Sequence, residues 1–147
     1  MTMKYHLPFG THGIRGVPDL PPFTPAHLSA LGTALEIFLT ETNQPPHILI
    51  GLDTRESCPR ILNDLLTGFS PHVTVCNAGI VPTPTLITLL TKKSEFSLGI
   101  MITASHNPAH DNGLKFFLQH GADLSKVAEQ RIQELFDDSF GHTPTNN

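Results

Sequence analysis

The stretch Thr103-Ala104-Ser105-His106-Asn107-Pro108 holds the residue types best suited to a covalent step. An apolar run ends at Ile102, and a hydroxyl, an imidazole and an amide then follow in close succession. Pro108 forbids a helix there and biases Asn107 towards an extended backbone. Ser105 is therefore expected on a fixed, polar loop at a strand end, a mounting that suits a nucleophile or a phosphate carrier. Further on, Asp111-Asn112-Gly113 reads as a turn. It would double the chain back into Leu114-Lys115-Phe116 and return Lys115 towards Ser105. An ammonium group beside a phosphoserine would offset a charge of about −2 and could shuttle a proton. Taken alone, a Ser-x-x-Pro loop is a structural turn; the specificity lies in the whole string. Ser105 and His106 do not read as a hydrolase pair. Neighbours in an extended chain point to opposite sides, and the sequence has no Gly-x-Ser-x-Gly elbow.

A second segment, Phe9-Gly10-Thr11-His12-Gly13-Ile14-Arg15-Gly16, places three glycines within seven residues. It reads as a glycine-rich loop with exposed backbone amides. Arg15 within it could fork onto phosphate oxygens, or could be a solvated arginine in a plain turn. No Gly-Lys-Ser/Thr follows, so it is not a Walker loop. His106 and His110 stand four apart, but a shared metal would need a helix that Asn107-Pro108 opposes. Asp53-Thr54-Arg55 follows a strand pattern directly. Arg55 could reach an anion at the sheet edge, but pairing with Asp53 or Glu56 as scaffold is the favoured reading.

The elements that must position these residues are legible from periodicity. His47–Asp53, His72–Ala78 and Phe96–Thr103 read as strands, and Asn112–Leu118 as a weaker fourth. Helices are expected after Thr24-Pro25, with Leu28, Leu31, Leu35, Phe38 and Leu39 on one face, and after a Ser57 cap, with Ile61, Leu62, Leu65, Leu66 and Phe69 as the stripe. Two more open at Thr83-Pro84 and Ser125. Strands alternating with helices predict an α/β fold, a sheet covered by helices on both faces. In such sheets ligands gather where strands end, which is where Asp53–Ser57, Asn77–Thr83 and Thr103–Asn112 fall.

The 147 residues suit one core, with 39% hydrophobic and 15% charged residues. We expect a domain over residues 1–140 and a linker or tail over 141–147. Thirteen prolines exceed the usual share of about 5% and sit mostly at element boundaries. The formal net charge is −4, and Lys92-Lys93 is the only adjacent basic pair, so no nucleic-acid partner is expected. The start of the chain has no apolar signal core and no run approaches a membrane span, so no membrane partner is expected. Two isolated cysteines, Cys58 and Cys76, fit a reduced, cytoplasmic setting.

The segments FGTHGIRG, ILIGLDTR, VPTPTL and ITASHNPAHDNGLKFF, in this order, resemble the first domain of the α-D-phosphohexomutases. The resemblance runs from about Phe9 to the last helix. Ala104 and the run Asp111–Phe117 are most similar to the phosphoglucosamine mutase branch. The resemblance implies a three-layer α/β/α sandwich with a mixed, mostly parallel sheet. It also implies an isomerase that interconverts hexose (glucosamine) 6-phosphate and 1-phosphate through a phosphoserine and a bound bisphosphate. Ser105 would carry the phosphate, Lys115 would be the general acid/base, and Arg15 would contact the phosphoserine. Thr11, His106 and Asn107 would flank it. A magnesium ion would sit on the phosphoserine at Ser105, with its remaining ligands in a later domain.

The implied partners are a hexose phosphate, the remaining domains of a longer chain and, in some cases, a second copy as a homodimer. The family's aspartate-rich, sugar-discriminating and C-terminal phosphate loops are absent from these 147 residues. The chain alone is therefore expected to have little or no mutase activity. His12 stands where relatives carry Asp or Ser, which alters the local charge near a histidine pKa of about 6.5. The alternative is a stand-alone, non-catalytic domain that keeps the fold for binding or assembly.

Overall fold

A computed structural model describes residues 4–11, 13–104, 107–108 and 110–141. Six strands form one sheet: β1 (Phe9–Gly10), β2 (Gly13–Gly16), β3 (His47–Leu52), β4 (Thr74–Ile80), β5 (Leu98–Ile102) and β6 (Asn112–Leu118). The helices are α1 (Pro25–Glu41), α2 (Cys58–Leu66), α3 (Thr83–Lys92) and α4 (Lys126–Gly141). The strand order is β1-β2-β6-β5-β3-β4.

The sheet is mixed, as expected, but the mostly parallel description holds for one half. β4, β3 and β5 are mutually parallel, joined through α2 and α3. β6 returns antiparallel to β5, and β2 and β1 continue antiparallel pairing to the other edge. The reason is connection length. A parallel return needs a crossover of a dozen or more residues, and the nine residues 103–111 between β5 and β6 are too few.

Two apolar clusters flank the sheet. Ile48, Ile50, Ile100, Leu114 and Phe116 pack with α1, α2 and α4. Leu49, Met101 and Phe117 pack with Leu86 and Leu90 of α3 on the opposite face. Successive residues of a strand alternate between faces, so one helix has the second face to itself. The N-terminal segment is tied to α4: Gln133 Nε2 donates to the Tyr5 carbonyl at 2.9 Å, and Leu7 N donates to Gln133 Oε1 at 2.6 Å.

Most helix starts follow the local signals. Thr24 caps α1 by accepting from His27 N at 3.3 Å, and Ser125 Oγ accepts from Ala128 N at 3.1 Å at the start of α4. Ser57 differs. It precedes α2 but makes no cap hydrogen bond and has helical φ/ψ. Its hydroxyl donates to Asn112 Oδ1 instead, because β6 brings a buried amide within reach.

Two further expectations are corrected. The glycine-rich opening segment is a β-hairpin, not a loop: Gly10 faces Gly13, and Ile14 faces Leu114 of β6. Gly13 has φ +92°, and a Cβ there would lie 2.1 Å from the Leu114 carbonyl oxygen, so no side chain fits. The reversal before Lys115 also comes earlier than Asp111-Asn112-Gly113. Asp111 N donates to Pro108 O at 2.9 Å, while Asn112 and Gly113 already belong to β6.

Gly113 is a second point of close approach, against the backbone just beyond β5. A Cβ there would meet the Thr103 carbonyl oxygen at 2.3 Å. Gly113→Ala should therefore destabilise the fold by roughly 1–3 kcal/mol, since backbone and not a movable side chain is in the way. A urea unfolding midpoint equal to that of the unsubstituted chain would contradict this.

Candidate functional site

Thr103 and Ala104, buried at the end of β5, lead into the loop that carries Ser105. Ser105, His106 and His12 lie outside the described residues, as do residues 142–147 of the expected tail. The loop's described part is held tightly. Thr103 N donates to Gly113 O at 2.9 Å and Asn107 N to Ala104 O at 3.1 Å.

Leu114 and Phe116 point into the main core, so Lys115 between them points to the α3 face. Arg15, next to buried Ile14 and opposite Gly113, points the same way. α3 packs over β3 and β5 and leaves this half of the sheet open. The two cations share the uncovered patch, and Arg15 Nη1 donates to Asn107 Oδ1 at 3.0 Å. The structure thus brings together Arg15, Lys115 and Asn107, three of the residues singled out by sequence.

The electrostatics suit proton transfer. Burial lowers the Lys115 pKa below the ordinary lysine value, Arg15 lowers it further, and Asp123 partly opposes them. A lysine in such a setting releases its proton more readily than a surface lysine. Thr11, in the turn of the β1–β2 hairpin, lines a cleft of about 600 Å3 together with Lys115, Asp123 and Lys126.

A larger cleft, about 1050 Å3, lies at the C-terminal ends of β3 and β5 and is lined by Thr54, Arg55, Ser57, Asn107 and His110 among others. Thr83, at the start of α3, lines both clefts. His110 is exposed, 3.5 Å from Asp111. Among the described residues no group of three or more His, Cys, Asp or Glu side chains could hold a metal ion.

Asp53 and Arg55 form the floor of the larger cleft. Arg55 Nε donates to Asp53 Oδ2 at 2.9 Å, the scaffold pairing favoured by sequence. Burial pushes the Asp53 pKa up, but hydrogen bonds from Arg55 N, Thr103, Cys58 and the Arg55 side chain outweigh it, and the net direction is down. The Cys58 thiol is pushed up to about 12, first by burial and then by Asp53. It stays protonated and donates to Asp53 Oδ1 at 3.1 Å, as a structural thiol does. Sequence reasoning did not anticipate that Arg55 also reaches the Ser105 loop. The available signal was an arginine just beyond a parallel strand, where loops of open α/β sheets converge.

With this geometry in hand, the relatives are informative. Residues 6–141 match the family model of phosphoglucomutase/phosphomannomutase, alpha/beta/alpha domain I. The chain belongs to this family, as its first domain. It is 40% identical over 138 residues to a phosphoglucosamine mutase of Bartonella henselae, covering 93% of this chain and 29% of that protein. It is 44% identical over 126 residues to one of Verminephrobacter eiseniae, covering 85% and 27%. A solved protein of Thermus thermophilus, provisionally assigned as a phosphomannomutase, superposes with a TM-score of 0.76 at 31% identity, covering 91% of this chain and 30% of that one. The chain thus spans about 30% of the length of these relatives. Among the described residues no helix is long and apolar enough to cross a membrane.

Proposed function

We propose that this chain is the phosphoserine domain of a phosphohexose mutase that interconverts hexose 6-phosphate and 1-phosphate, with glucosamine phosphate as the substrate. The observation that carries the reading is the pairing of Lys115, its pKa lowered, with Arg15 on one uncovered sheet face, where Arg15 also holds Asn107 of the serine loop. The identity to phosphoglucosamine mutases favours that sugar.

In this reading Ser105 carries a phosphoryl group in the resting protein. The P–Oγ bond breaks as a hydroxyl of the hexose monophosphate bonds to phosphorus and gives its proton to the neutral Lys115 amine. The departing serine oxygen takes up a proton from the Lys115 ammonium. In the second half-reaction the Lys115 amine takes that proton back as Oγ attacks the other phosphate of the bisphosphate, and the ammonium gives it to the sugar oxygen as that P–O bond breaks. Arg15 offsets phosphoryl charge and fixes the loop through Asn107. Magnesium, when bound, would neutralise phosphoryl charge. The described residues make no metal cage of their own, and this chain's share of the site would be the Ser105 phosphate, with the other ligands from further domains.

Phosphopeptide mapping of the native protein tests the reading. One phosphoryl group on Ser105, lost to added hexose monophosphate, is the expected result. An unmodified Ser105 that takes no phosphate from a hexose 1,6-bisphosphate overturns it.

A further inference from the structure

Arg55 lies outside the residues assigned to phosphoryl transfer, yet its guanidinium grips the loop that carries Ser105. Nη1 donates to Pro108 O at 2.6 Å and to Asp111 O at 3.4 Å, and Nη2 donates to Asn107 O at 3.1 Å. Its other edge is anchored in the scaffold: Nε donates to Asp53 Oδ2 and its backbone N to Asp53 Oδ1, each at 2.9 Å. Asp53 is itself fixed, with its backbone N bonded to Ile102 O at 3.1 Å, the last residue of β5. The Arg55 side chain is 9% exposed.

Asn107 is thus held twice, by its carbonyl through Arg55 and by its side chain through Arg15. The two arginines come from elements on either side of the β5–β6 pair. Guanidinium carries five donors in a planar fork. That shape can bridge a carboxylate and several carbonyls at once, which an ammonium cannot reproduce. We infer that Arg55 is a positioning residue that holds the loop, and Ser105 two residues before Asn107, in register for phosphoryl transfer.

The catalytic part of this inference rests on the mutase reading; the mechanical part does not. A misplacement of about 1 Å at a reacting group can cost about 10²-fold in rate. Two readouts on the native protein separate the parts.

The first is amide hydrogen exchange in Arg55→Lys. Exchange at Asn107 and Asp111 should rise at least about tenfold, while β3 and β5 amides stay as in the unsubstituted protein, because the loop opens locally and the fold does not. The second is steady-state kinetics. Here kcat in Arg55→Lys should fall by about 30- to 100-fold with KM within threefold. In Arg55→Ala, added guanidinium ion should restore part of kcat where ammonium does not.

Unchanged loop exchange in Arg55→Lys overturns the clamp. Raised exchange with kcat within threefold of normal overturns its role in positioning Ser105. A loss of activity matched by raised exchange throughout β3 and β5 also overturns it, since Arg55 would then only support folding. If the unsubstituted protein turns over no hexose phosphate, the mutase reading falls, and exchange still decides the clamp.

Discussion

Ser105→Ala in the native protein should reduce hexose phosphate interconversion by about 10⁴-fold or more, the scale seen when a covalent nucleophile is removed from a pre-built site. The reaction is read as two transfers through one oxygen, and alanine has no atom to carry the phosphoryl group between them. Binding should survive, because the substitution leaves in place the Asn107 side chain that holds Arg15 and the Asp53 carboxylate that holds Arg55. KM for hexose phosphate, or Kd where turnover vanishes, should stay within a few-fold. Turnover within tenfold of the unsubstituted protein would rule out the phosphoserine mechanism. Loss of turnover together with loss of binding would instead point to a structural role for this serine.

Lys115→Met should cost about 10²–10⁴-fold in kcat, the usual contribution of a general acid/base. Lys115→Arg should be similarly impaired, because arginine keeps the charge but does not release its proton in the working range. Full activity of Lys115→Arg would make Lys115 a fixed counter-charge and not a proton carrier. Stability gives an independent check. Burial and Arg15 depress the folded-state pKa below 10.5. In the window between that depressed value and 10.5 the unfolded chain binds more protons, so stability rises with pH there. Below the window the charged lysine is a net cost to the fold. Lys115→Met should therefore be at least as stable as the unsubstituted protein at neutral pH and should lose the alkaline rise. A clear fall in its unfolding midpoint at pH 7 would contradict the assignment of Lys115 to a strained, functional position.

Much of the scaffold was legible because its signals are local. Leu28, Leu31, Leu35 and Leu39 lie on one face of α1, and all are fully buried. Ile48, Leu49 and Ile50 form a run that suits a strand covered on both sides. The opening hairpin was not legible in the same way. Gly-Ile-Arg-Gly has little strand propensity, and it is a strand because β6 offers it an edge and Gly13 can lie against Leu114. Ser57 carried a helix-cap signal, yet its hydroxyl was claimed by Asn112, 55 residues away. A local preference of about 1 kcal/mol yields readily to a buried partner.

The candidate site divides along the same line. Its candidate residues could be picked from the chain alone: a serine between a strand pattern and a proline, a lysine in the segment that follows and an arginine between glycines. These depend on residue type and short spacing, which the chain carries wherever it goes. That Arg15 and Lys115 share the face that α3 leaves open was settled by folding, because strand register sets which side each residue takes. Folding also let Arg55 span more than 50 residues of sequence to hold the serine loop, since a hydrogen bond depends on distance in space and carries no trace in the local pattern.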